Sequence, residues 1–184
     1  MNRLYDDDLY RFGLPQRSYW EATAGDLEVD AEPLMSHESC DVAIIGGGYT
    51  GLSAAYHLVR DCDADVRVVE AGHIGWGASG RNGGFCCMGG TKAGASGLIR
   101  KFGLDEARRW YRAQVESVEL VRQIGTDESL DFWPQGESEY LVAHTPRSFD
   151  ELRDTCDVLT GQLGIDANMI SRDEFRERFY DSTE

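Results

Sequence analysis

The run Gly46-Gly47-Gly48-Tyr49-Thr50-Gly51 matches the spacing G-x-G-x-x-G. In this pattern Gly46 permits a tight turn, and Gly48 lets the backbone approach a pyrophosphate without a Cβ in between. Gly51 lets a helix pack closely against a sheet. The amides at the start of that helix point at the phosphates, aided by the positive end of the helix dipole. The run therefore predicts a phosphate-binding turn between a strand and a helix.

A carboxylate follows at the spacing that such a site requires, since Glu70 lies 19 residues after Gly51. At the end of a second strand it can accept hydrogen bonds from both hydroxyls of an adenosine ribose. A 2′-phosphate would meet a like charge there, which argues against NADP. An ordinary acid at a strand end remains the alternative, and the fingerprint by itself serves FAD and NAD equally.

The neighbouring sequence supplies the elements that must position these residues. Cys40–Ile45 is a short, apolar, β-branched run typical of a buried parallel strand, and Gly51–Arg60 carries small residues suited to a helix on a sheet. Asp65–Glu70 predicts the second strand. Together they form one βαβ unit with a right-handed crossover, so the predicted fold class is α/β, with a Rossmann-like parallel sheet.

A glycine-dominated stretch covers residues 71–98 and is predicted to be irregular. Its run Gly77-Ala78-Ser79-Gly80-Arg81-Asn82-Gly83-Gly84 resembles the segment that follows the acidic residue in the D-amino-acid oxidase-like superfamily of flavoproteins. That superfamily includes glycine oxidase and sarcosine oxidase. The nearest likeness is to the glutamylputrescine oxidoreductase branch, which also has an upstream segment like Ser18-Tyr19-Trp20.

The resemblance implies FAD as the cofactor and a loop that wraps the pyrophosphate and approaches the flavin. Ser79 and Asn82 can donate hydrogen bonds, Arg81 can balance diphosphate charge, and the glycines allow close approach. A flexible glycine loop with one surface arginine is the alternative. The predicted cofactor-binding residues are Gly46, Gly48, Tyr49, Thr50, Gly51, Glu70, Ala71, Ala78, Ser79, Arg81, Asn82, Gly83 and Gly84.

The family resemblance further implies oxidation of the C–N bond of a small amine or amino acid, with hydride transfer to the flavin. Family members are considerably longer, and their substrate-binding arginines and aromatics come mostly from a portion that this chain lacks. No catalytic residue is therefore assigned, and the chain alone is expected to be an inactive fragment. Another FAD- or NAD-dependent dehydrogenase or hydroxylase, or a non-catalytic truncated product, remains the alternative.

Three domains are predicted: an extended surface arm at 1–39, the first part of the FAD-binding domain at 40–130, and a truncated α+β substrate domain from 131 to 184. A helix at Leu104–Ile124 should end at Gly125. The sequence also predicts a strand at Glu137–Ala143. Two further helices should begin at capping boxes, which are Ser148 with Glu151 and Ser171 with Glu174.

Composition limits the partners. A formal net charge of -15, from 33 acidic and 18 basic residues, disfavours nucleic acid and anionic membranes. Five cysteines without metal-ligand spacing predict no metal site and favour a reducing compartment, which we take to be the cytoplasm. No apolar run approaches the roughly 20 residues that a membrane span requires. The oligomeric state is left open.

Overall fold

The computed structural model describes residues 6–13, 18–24, 31–136 and 138–179. The chain divides into two compact units, Met1–Phe85 and Cys86–Glu184, which are described separately below. The domain boundaries predicted from the sequence, after residues 39 and 130, differ from this division. Where independently folding domains begin and end stays a prediction.

The described parts of the N-terminal arm are not extended throughout. A 3-10 turn covers Asp7–Tyr10, and helix α1 covers Tyr19–Thr23. Helix α1 forms because the Ser18 hydroxyl accepts a hydrogen bond from the Glu21 amide at 3.0 Å, which caps the first turn. Residues 1–5, 14–17 and 25–30 of the predicted arm lie outside the described residues.

The predicted βαβ unit is confirmed. Strand β1, Val42–Ile45, pairs in parallel with strand β2, Val66–Val69, in the register Val42 to Val66 through Ile45 to Val69. Helix α2, Tyr49–Cys62, connects them and extends two residues beyond the predicted helix at each end. It ends at Asp63, whose left-handed backbone (φ of 50°) stops the helix.

In the second unit, four helices follow one another: α3 (Gly94–Phe102), α4 (Leu104–Asp127), α5 (Pro146–Gly161) and α6 (Arg172–Arg178). The buried core consists of Ala95, Leu98, Ala107, Leu163 and Ile165. These residues come from α3, from α4 and from the segment after α5, so the core joins elements distant in sequence. No described helix is both long and apolar enough to cross a bilayer.

Two predictions about α3 and α4 were wrong. Helix α3 begins within the stretch 71–98 that was predicted to be irregular, because Ala95 and Leu98 bury one face in the core despite the neighbouring glycines. Gly125 does not end α4: it lies buried inside the helix, where a Cβ would collide with the Phe132 ring. The absence of a side chain at this position is used for packing rather than for helix termination.

Two further predictions were wrong. Residues 138–143 form no strand, because the sheet of the described residues has only two strands and offers this segment no partner. The cap of α5 is Thr145 rather than Ser148, and the two hydroxyls form the reciprocal capping box. Glu151 instead accepts a hydrogen bond from Arg147 at 3.0 Å. The predicted capping box of Ser171 with Glu174 is confirmed.

Candidate functional site

The glycine turn between β1 and α2 requires glycine at two of the predicted positions for different reasons. Gly46 has a φ of 108°, a conformation that residues with a Cβ rarely adopt. Gly51 lies in the first turn of α2, where a Cβ would collide with the carbonyl oxygen of Gly46 and lie 3.2 Å from Ile44 Cγ2. Helix α2 therefore starts in direct contact with the strand and its turn.

The loop at residues 77–84 folds back over the start of α2. The Tyr49 amide, the first of the helix, donates to the Ser79 hydroxyl at 2.9 Å. A Cβ at Gly48 would lie 2.9 Å from that same oxygen. Just before the loop, the Gly75 amide donates to the Gly47 carbonyl at 3.0 Å. The turn and the loop thus form one surface, although about 30 residues of sequence separate them.

Glu70 lies against the glycine turn, as the spacing predicted. One carboxylate oxygen, Oε2, accepts the Gly47 amide at 2.6 Å, and Oε1 accepts the Gly72 amide at 2.9 Å. The Gly47 hydrogen bond foremost, then that of Gly72, holds the pKa of Glu70 below its usual value. The carboxylate is therefore ionised near neutral pH, and each oxygen retains lone pairs for a further donor.

Asn82 fixes the shape of the loop. Its amide nitrogen, Nδ2, donates to the Ser79 carbonyl at 2.6 Å and to the Tyr49 hydroxyl at 3.2 Å. Its amide oxygen, Oδ1, accepts the Gly84 amide at 2.7 Å. In this structure Asn82 therefore uses its side chain to hold the loop against α2.

Arg81 is held by Trp76, a residue that the sequence did not single out. Its Nε donates to the Trp76 carbonyl at 2.8 Å, and its guanidinium lies 4.2 Å from the centroid of the Trp76 ring. Two buried donors, Trp76 Nε1 and Arg81 Nη2, have no acceptor among the described residues. Unsatisfied buried donors are costly, so this part of the loop suits a ligand rich in acceptor oxygens.

The remaining predicted site residues lie in the same unit. Ala71 lies between Glu70 and Gly72, Ala78 begins a 3-10 turn that ends at Gly80, and a Cβ at Gly83 would lie 3.0 Å from the Phe85 ring. Thr50 occupies the second position of α2, where helix geometry leaves the amide without an intrahelical partner. The one sequence signal that could have indicated Trp76 is its position as an aromatic residue within a glycine-rich run.

These features define a βαβ unit of the dinucleotide-binding class, with a glycine turn, an ionised carboxylate beside it and a loop that carries unsatisfied donors. The family described as DAO, FAD dependent oxidoreductase, matches residues 41–183. The chain belongs to this family, whose cofactor is FAD. The Rossmann-like fold of such proteins is consistent with the helices and the parallel two-stranded sheet described above.

Curated relatives agree with the family assignment. The chain is 39% identical over 106 residues to the gamma-glutamylputrescine oxidoreductase of Escherichia coli, covering 58% of this chain and 24% of the relative. It is 33% identical over 153 residues to the probable oxidoreductase OrdL of Rhizobium meliloti, covering 82% and 34%. The chain thus spans about a quarter to a third of these relatives' lengths. No solved structure matches it.

Proposed function

We propose that the chain supplies the FAD-binding site of an oxidoreductase that oxidises the C–N bond of an amine or amino acid. One observation carries the cofactor-site proposal: the Glu70 carboxylate lies 2.6 Å from the Gly47 amide of the glycine turn. The carboxylate that can accept hydrogen bonds from ribose hydroxyls and the turn that can bind a pyrophosphate are therefore neighbours. That arrangement is the one a dinucleotide requires.

Each part of the site has its own role in this proposal. The turn around Gly48 and the first amides of α2 bind the pyrophosphate, and Glu70 binds the adenosine ribose. The donors of Trp76 and Arg81 meet acceptor oxygens of the cofactor. The amides of Gly46, Gly47 and Tyr49 already donate to Val69, Glu70 and Ser79, so the phosphate contacts fall to the Gly48 amide and to the Thr50 and Gly51 amides of the first turn of α2.

The chemistry of the reaction belongs to the cofactor. Bound FAD would supply a two-electron acceptor for the hydride on the carbon beside a neutral amine nitrogen, and water would hydrolyse the resulting iminium ion. The residues of this chain orient the cofactor, and none of the described residues is assigned a catalytic role. The amine class is supported by the name of one relative, an oxidoreductase of gamma-glutamylputrescine.

An FAD titration tests the cofactor site. We expect the purified chain to quench flavin fluorescence saturably and to bind NAD far more weakly. Glu70→Gln should weaken FAD binding by about 10- to 100-fold, because a charged acceptor of hydrogen bonds is lost. Glu116→Gln, at an exposed position of α4, is the matched control and should bind FAD like the wild type. Absence of FAD binding, or preference for NAD, would refute the cofactor-site proposal.

Turnover tests the substrate class separately. The protein that carries this sequence should reduce its bound flavin anaerobically when mixed with amines or amino acids, seen as bleaching of the visible flavin bands. Bleaching by an alcohol panel, with no response to amines, would contradict C–N oxidation while leaving the FAD site intact.

A further inference from the structure

A tryptophan of the N-terminal segment contacts the glycine loop. The indole Nε1 of Trp20, in α1, donates to the backbone carbonyl of Asn82 at 2.8 Å across 62 residues of sequence. The Trp20 ring also lies over Gly84, where a Cβ would collide with Cζ2 and lie 2.6 Å from Cη2. Gly84 has a φ of 73°, so its own conformation and the ring above it both require glycine.

The contact continues through the loop to the start of α2. Trp20 holds the backbone of Asn82, and the Asn82 side chain donates to the Ser79 carbonyl and the Tyr49 hydroxyl. The Ser79 hydroxyl in turn accepts the Tyr49 amide. A chain of hydrogen bonds therefore links position 20 to the first residue of the helix that begins at the glycine turn.

A second aromatic from the N-terminal segment contacts Trp76, the residue just before the loop. Phe12 lies edge-on to Trp76, with ring centroids 4.9 Å apart and an interplanar angle of 61°. Trp76 is 8% exposed and carries Arg81 on its ring. His73 Nε2 lies 3.7 Å from Glu21 Oε1, which adds a polar contact beside Trp20. The N-terminal segment thus contacts the loop at Asn82 and Gly84, and the residues just before the loop at His73 and Trp76.

The glycine-rich loop at 77–84 needs contacts from outside the loop to hold one conformation. Four of the eight residues from Gly77 to Gly84 are glycine, which loses more backbone freedom on ordering than other residues do. The loop has no large apolar side chain of its own to bury. Contacts that order it before the ligand arrives reduce the entropy lost on binding and so raise affinity.

We propose that Trp20 is a positioning residue for FAD. It holds the 77–84 loop in the conformation that binds FAD, so the N-terminal segment contributes to the cofactor site. This inference rests on the proposed FAD site. It adds a role for a segment that lies outside the βαβ unit and contributes none of the predicted cofactor contacts.

Two substitutions at Trp20 separate the hydrogen bond from the ring. Trp20→Phe keeps a ring but removes the donor, and should raise the dissociation constant for FAD by about 2- to 10-fold. Trp20→Ala removes both and should raise it by about 10- to 100-fold, because the loop is no longer ordered beforehand. Trp133→Phe, at a tryptophan that is 80% exposed in the second unit, is the matched control and should not change the affinity.

The measurement combines FAD titration with urea unfolding of the FAD-free protein. A positioning role predicts weaker FAD binding and an altered visible band shape of the bound flavin, while the urea midpoint of Trp20→Phe stays at the wild-type value. A general packing role predicts instead that affinity falls only in proportion to the loss of stability. That outcome would overturn the inference.

A double-mutant cycle tests the contact itself. Gly84→Ala should weaken FAD binding strongly in the wild-type background but less in the Trp20→Ala background, because the colliding ring is gone. Gly90→Ala is the control for backbone strain, since Gly90 has a φ of 89° and its Cβ would meet nothing within 4 Å. Equal effects of Gly84→Ala in both backgrounds would show that no productive contact exists.

The outcomes distinguish this inference from the proposed function. If the wild-type chain binds no FAD, the proposed cofactor site fails and the inference fails with it. If the wild type binds FAD and Trp20→Ala binds it equally well, only the role of Trp20 is refuted.

Discussion

Replacing Gly51 by alanine should destabilise the protein although it lies in a helix. In an exposed helix interior, Gly to Ala is favourable by about 1 kcal/mol because glycine has more backbone freedom to lose. At Gly51, however, the new Cβ would collide with the carbonyl oxygen of Gly46 and lie 3.2 Å from Ile44 Cγ2. The collision partner is backbone at a turn with a φ of 108°, so it has little room to move.

The expected magnitude follows from these two opposing effects. Overpacking of this kind costs about 1–3 kcal/mol, and the rigid partner favours the upper part of that range. After the gain in helix propensity of about 1 kcal/mol, the net loss in free energy of unfolding is about 1–2 kcal/mol. Because α2 must shift away from the turn, FAD affinity should also fall.

Gly125→Ala is the matched control, since Gly125 is also helical and its Cβ would also collide. There the partner is the far edge of the Phe132 ring, and this side chain is 45% exposed and can rotate outward. The gain in helix propensity then offsets the rearrangement, and stability should change by less than about 1 kcal/mol. Gly161→Ala, where a Cβ would meet nothing within 4 Å, gives the propensity effect alone.

Urea unfolding followed by far-ultraviolet circular dichroism measures all three variants, with FAD titration in parallel. The predicted order of stability is Gly161→Ala first, Gly125→Ala next and Gly51→Ala last. If Gly51→Ala is as stable as Gly125→Ala, the close contact between α2 and the glycine turn does not exist as described.

Two further predictions concern pH and capping. The pKa of Glu70 in the folded state is depressed below its ordinary 4.5, chiefly by the Gly47 hydrogen bond. The ionised carboxylate therefore stabilises the fold above pH 4.5, and this stabilisation is lost as the pH falls through the folded-state pKa. Urea titrations of wild type and Glu70→Gln should therefore converge below pH 4.5, and a gap that persists at the lowest pH would contradict this. Thr145→Ala removes the N-cap of α5 and should lower the free energy of unfolding by about 1 kcal/mol. Thr160→Ala, in the last turn of α5, is the control and should not lower it. Equal effects of the two substitutions would refute the capping role.

The βαβ unit and the order of its glycine turn and Glu70 could be predicted because their signals are local. Gly46, Gly51 and Glu70 stand at fixed distances within one strand-helix-strand unit, and short-range geometry then determines where each lies. The capping box at Ser171 was predictable for the same reason. Errors arose where two local signals competed: Thr145 and Ser148 both resemble caps, and the structure uses both, with Pro146 as the first helical residue.

Elements that depend on distant partners could not be predicted. The segment 138–143 alternates like a strand but finds no neighbour in the sheet of the described residues. Gly125 has the composition of a helix stop, yet the helix continues because Phe132 packs on it. Helix α3 forms from a glycine-rich sequence because its apolar face meets residues that lie after α5.

The sequence by itself predicted an α/β fold class and the pairing of a glycine turn with an acidic residue, since both follow from spacing within about 30 residues, whereas FAD was implied by the family resemblance. Only the tertiary structure decided that Trp76 carries Arg81, that Asn82 holds the loop and that Trp20 reaches it from the N-terminal segment. Such contacts join residues whose separation carries no periodic signal. The contact of Trp20 further depends on Gly84 having no side chain, because a Cβ there would collide with the indole ring.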